Sequence, residues 1–178
     1  MREILARMDD RIIDQVFQPS VDWFSNQLRF DCFRLAGICA DLSALAWILS
    51  QAGAVTAALG SGVPGQAPFR CVLLLLGLGA ITILRTLFQK VGGGGRRSAQ
   101  ANPLRAGMFL HRLVCHFWLI GLLLKTAGTP FGLESCGLLA VGVCTTLAVY
   151  FGACSNPPPK RRESPAGGGW KLARVGIR

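Results

Sequence analysis

Residues 85–112 read RTLFQKVGGGGRRSAQANPLRAGMFLHR. Arg85, Lys90, Arg96, Arg97, Arg105 and Arg112 lie in this stretch, with no acidic residue among them. Four consecutive glycines at 92–95 cannot support a packed element. They lack the GxxxxGK[ST] spacing of a phosphate loop. The stretch therefore reads as a flexible basic loop, 89–107, between two apolar segments.

Outward from it, four segments reach the roughly 20 apolar residues that a helical membrane span needs. These are 35–59, 69–88, 108–127 and 135–153. The first holds a single charge, Asp41, and the last holds none. The second spans if Arg70 and Arg85 snorkel to the two interfaces. The third, taken alone, reads equally as a re-entrant or interfacial segment. Apart from Cys115 and His116, its uninterrupted apolar run is only 113–124, bracketed by Arg112 and Lys125.

Charge decides the number of spans. The connections 60–68 and 126–133 are uncharged, whereas the tail carries Lys160, Arg161, Arg162, Lys171, Arg174 and Arg178 against Glu163. With four spans, Arg2, Arg7, Arg11, Arg29 and Arg34 share one side with the central loop and the tail. With three, the 160–162 cluster would cross to the other side, against the positive-inside rule. The expected fold is all-α: an integral membrane four-helix bundle with an amphipathic N-terminal helical arm (1–34) and a disordered basic C-terminal tail (154–178). Both termini are expected in the cytoplasm, and the absence of an outer domain fits a bacterial cytoplasmic (inner) membrane. The first thirty residues lack the apolar h-region of a cleavable signal, so the first span is expected to serve as the targeting signal.

Composition agrees. The chain has 178 residues, mean hydropathy +0.43, 51% apolar and 16% charged residues and net charge +10. Soluble domains carry about a quarter charged residues. The basic residues cluster in loops and tail rather than on a folded basic surface, so nucleic acid is not the expected partner. The lipid bilayer is, with Arg96, Arg97, Lys160, Arg161 and Arg162 meeting anionic headgroups.

In the arm, Ile4, Leu5, Met8, Ile12, Ile13, Val16 and Phe17 form one helical stripe, with Arg7, Asp10, Arg11 and Asp14 elsewhere. Gln18 and Pro19 are predicted to break the helix, and Ser20 to cap a second one carrying Val21, Trp23, Phe24 and Leu28. A helix lying on anionic lipid carries Lys and Arg on its polar face. Here the charge is nearly balanced, which points to docking on protein. Ile4, Met8, Ile12 and Phe17 are the candidate contacts, to the protein's own bundle or to a partner.

Asp41 is the sharpest single residue, because carboxylates within a span are kept where they face a bundle interior, a partner or a water cavity. It is a candidate proton or cation site, or a helix contact; otherwise it pairs with Arg34 or Arg112 near the interface. Ala36, Ala40 and Ala44 on the first span, and Ala140, Cys144 and Ala148 on the fourth, form small-residue faces suited to close helix packing. The seven cysteines contain no CxxC pair. Cys71 and Cys136 fall near one face, where pairing is an open alternative, and Cys154 is juxtamembrane, where acylation is. With two histidines and no catalytic or zinc signature, no cofactor, metal or enzymatic activity is expected. The expected function is an accessory, assembly or interaction subunit of a membrane complex, with a membrane-protein partner or a homo-oligomer. The alternative is a small oligomeric transporter or channel built around Asp41.

Overall fold

A computed structural model of the chain describes residues 2–61, 65–93, 102–127 and 133–155. Arg96, Arg97, Lys160, Arg161 and Arg162 lie outside the described residues. In chain order the elements are α1 (Arg2–Ile12), a π-helical turn (Ile13–Phe17), α2 (Gln18–Leu28), α3 (Cys32–Ser61), α4 (Gln66–Gly93), α5 (Pro103–Gly107), α6 (Phe109–Ala127) and α7 (Leu133–Ala153). No strand occurs among the described residues. Three helices are long and apolar enough to cross a membrane: Cys32–Gly60, Gln66–Gly92 and Glu134–Ala153.

The arm departs from the expected break at Pro19. Helix continues through it, with the π turn in front. Pro19 has no N–H, and its ring crowds the carbonyl one turn earlier. Widening that turn accommodates the ring, and the Gln18 N–H donates five residues back to the Ile13 carbonyl. Ser20 does not cap; its hydroxyl donates to the Val16 carbonyl at 2.9 Å. The arm ends where Arg29 turns left-handed at φ 57°. Asp31 then caps α3, accepting from the Arg34 N–H at 2.6 Å.

The long helices pack laterally in the order α4, α3, α7, α6, with the most extensive interface between α3 and α7. Small side chains explain why. Ala36, Ala40, Ser43, Val141 and Ala148 are all buried. A Cβ on Gly137 would collide with the Ser50 side chain. Close approach also lets Ser43 and Thr145 share a hydrogen bond at 2.7 Å. On the other flank of α3, Trp47 donates its indole N–H to the Leu74 carbonyl at 3.1 Å, and its ring fills the space a side chain at Gly77 would need. α4 is apolar on every side, with Leu75, Leu76 and Ile83 all projecting outward.

The basic loop is shorter than 89–107. α4 continues to Gly93, and Asn102 caps α5 by accepting the Leu104 N–H at 3.0 Å. The Asn102 amide also donates to the Gly152 and Cys154 carbonyls at 2.8 and 2.6 Å, closing the end of α7. The segment read as tail from 154 begins packed, since Cys154 is fully buried.

Candidate functional site

Asp9 lies one turn before the buried Ile13, so helical spacing turns its carboxylate inward with it. It meets Arg112, in the first turn of α6, which is 1% exposed. The Arg112 Nε lies 3.1 and 3.0 Å from the two Asp9 oxygens, and Nη2 lies 2.6 Å from Oδ2. The guanidinium also donates to the Arg105 carbonyl at 2.6 Å and the Leu104 carbonyl at 3.4 Å. The Tyr150 hydroxyl, from the last turn of α7, donates to Asp9 Oδ1 at 2.9 Å. A buried ion pair costs desolvation energy unless its remaining lone pairs and protons are satisfied; here the α5 carbonyls and the α7 tyrosine satisfy them.

Aromatic rings close the cluster. Phe17 stacks on Tyr150 at 4.4 Å between centroids, and His116 meets the same ring edge-on at 5.4 Å. The His116 Nδ1 is 2.9 Å from the Arg112 carbonyl oxygen of its own helix. One turn away, Arg105 holds Asp14 through both terminal nitrogens at 2.8 Å and Asp10 through Nε at 2.9 Å. The hydrogen bond from Arg105, reinforced by its charge and opposed by partial burial, keeps the Asp14 carboxyl below its ordinary 3.8. Chemically this arrangement is a clasp, with charge matched across three elements and the arm fixed on the helix ends.

The arm-contact residues divide. Ile12 and Phe17 are half-buried against the protein's own core, while Ile4 and Met8 remain exposed, as do Leu5 and Val16 beside them. The apolar stripe is thus wider than the contact it makes. Of the small-residue faces, Ala36, Ala40 and Ala148 are buried at the α3–α7 interface, Ala44 and Cys144 are half-buried, and Ala140 is exposed.

Asp41 pairs with neither Arg34 nor Arg112. Its partner is Arg85 on α4, Nε to Oδ1 3.0 Å, and both side chains stay about half exposed. The pair lies in an open cleft of about 340 Å³ between the start of α3 and the end of α4. No disulfide joins the seven cysteines, Cys71 and Cys136 included. Burial pushes the Cys154 thiol up to about 12, and the side chain is inaccessible, which removes acylation as a reading. Among the described residues no group of three or more metal-ligating side chains comes together.

No protein-family model, curated protein or solved structure matches the chain.

Asp9, Tyr150, Arg105 and Asn102 were not legible as a set. One signal was available: an arginine at the edge of an apolar run needs an acid, and Asp9 alone among the arm's aspartates shares the four-residue spacing of Leu5 and Ile13.

Proposed function

We propose that the protein is a non-catalytic multi-pass membrane protein, with α3, α4, α6 and α7 as its four spans, that acts as an interaction or assembly subunit of a membrane complex. The observation that carries this reading is the held arm with an open apolar flank. Asp9–Arg112 and Arg105–Asp14 fix the arm against the helix ends, yet Ile4, Leu5, Met8 and Val16 remain uncovered along one side. A pre-positioned apolar helix face reduces the ordering cost of binding. The positive-inside pattern favours both termini in the cytoplasm, and the short outer connections fit a bacterial inner membrane. In support, the arm, the end of α4, the start of α6 and the end of α7 all meet at one end of the molecule.

The test is gentle extraction from native membranes and native mass spectrometry, with Ile4→Asp/Met8→Asp beside the unmodified chain. A stoichiometric foreign membrane subunit on the unmodified protein, lost from the variant, is expected. A homo-oligomer without a partner, conducting ions or solute in vesicles and silenced by Asp41→Asn, would establish the transporter reading instead. What favours that second reading is the half-exposed Asp41–Arg85 pair, which a neighbouring copy could complete. Against it, three of the other polar groups in the spans are already engaged. Ser43 is used between helices, and Thr56 and Thr82 bond their own backbone.

A further inference from the structure

We infer that the cleft between α3 and α4 binds the headgroup of a zwitterionic aminophospholipid, its phosphate on Arg34 and Arg85 and its ammonium toward Asp31 and Asp41. The inference rests on the membrane reading above.

Four observations converge on it. The cleft, about 340 Å³, is lined by two arginines and two aspartates over apolar Phe33 and Phe88. Its charge sums to zero, which suits a ligand carrying one charge of each sign and disfavours an anionic headgroup. The ion pair inside it, Arg85 Nε to Asp41 Oδ1 at 3.0 Å, leaves both side chains about half exposed and open to a ligand. Arginine offers five donors in a fork matched to phosphate geometry. Arg34 presents its guanidinium over the Phe30 ring, 4.4 Å from the centroid, while its backbone N–H is the group that bonds Asp31.

The depth fits as well. α3 has 30 residues, so at 1.5 Å per residue it is about 45 Å long, close to a bilayer with its headgroups. Arg34 sits in the first turn, at headgroup level. Asp41 lies about 14 Å from that end, a few ångströms below the boundary of the hydrocarbon. Charged groups at this depth reach up to the interface or pair with polar ligands, and charged pockets between spans hold lipid headgroups. A primary ammonium brings three donors, enough to meet Asp41 Oδ2 and Asp31.

The experiment uses the full chain, purified in detergent and delipidated, with an equimolar mixture of phosphatidylethanolamine, phosphatidylcholine and phosphatidylglycerol, read by native mass spectrometry. Retained phosphatidylethanolamine should exceed each of the others about tenfold, a difference of about 1.4 kcal/mol. That excess should vanish in Asp41→Asn/Arg85→Gln. Preference for phosphatidylglycerol, or equal retention of all three, overturns the inference on the unmodified protein alone, whether or not the variant folds. Displacement of the lipid by an equal concentration of soluble glycerophosphoethanolamine would show that a free phosphoamine, not a lipid, is the ligand, and would also overturn it. Carbonate washing of native membranes separates this from the underlying reading. Protein released to the supernatant defeats the membrane assignment, whereas protein kept in the pellet without lipid preference defeats the headgroup site only.

Discussion

Removing the Asp9 carboxylate strands Arg112, whose guanidinium is almost wholly enclosed. An uncompensated buried charge costs about 3–5 kcal/mol. Asp9→Ala is therefore expected to weaken arm docking by about that amount, seen as faster amide exchange across 2–28 and a lower unfolding midpoint. Asp9→Leu/Arg112→Met, which removes both charges, should lie closer to the parent than either single change. Equal losses in the single and double variants would show that the pair does not hold the arm. Asp14 adds a pH dependence. Its folded pKa is depressed by the Arg105 hydrogen bond, so its contribution is fully present above the ordinary carboxyl value and is lost only as pH falls through the lower, folded one. Exposed pairs are worth little. Acidification from pH 8 to about 5 should thus leave arm docking unchanged, with loosening confined to pH below 3.8.

At the scale of elements, the α3–α7 contact depends on small side chains, glycine, alanine and serine, at its tightest points. Ala40 is 1% exposed and Ala140 is open. Ala40→Leu is expected to destabilise by about 1–3 kcal/mol through overpacking, and Ala140→Leu to be near neutral; thermal unfolding in detergent distinguishes them, and the reverse order would refute this packing. These two alanines also show how far sequence reading reached. Hydropathy located α3, α4, α6 and α7 to within a few residues, and small-residue spacing located the α3–α7 face. It assigned Ala140 to that face wrongly in degree, because a stripe spreads over more of the helix than a neighbour can cover. Pro19 was read as a break because a local rule cannot anticipate that a widened turn absorbs it. Asp9 and Arg112 are 103 residues apart, and nothing local marks two residues so distant as partners. Asp41 was assigned to the wrong arginine for the same reason: Arg85 becomes its neighbour only through the register of α3 against α4.

Across the whole molecule, Cys71 near the start of α4 and Cys136 near the start of α7 are exposed at the end remote from the arm, beside the Arg70–Glu134 pair. Cys32 and Cys154 are buried at the arm end, where the Cys32 thiol reaches the Cys154 carbonyl at 3.3 Å. Single-cysteine versions should react with a membrane-impermeant maleimide on intact cells at positions 71 and 136, and positions 32 and 154 should stay silent until the protein is denatured. Silence at 71 and 136 on intact cells, with labelling once the membrane is opened, would reverse the proposed orientation. The burial of the polar contacts also has a consequence in salt. At the arm end, Asp9, Arg105, Arg112, Tyr150 and Asn102 rivet the helices together. At the other end, Arg70 and Glu134 join α4 to α7 through an exposed ion pair at 3.3 Å. Added salt therefore weakens the Arg70–Glu134 bridge first, while the enclosed Asp9–Arg112 pair is screened far less.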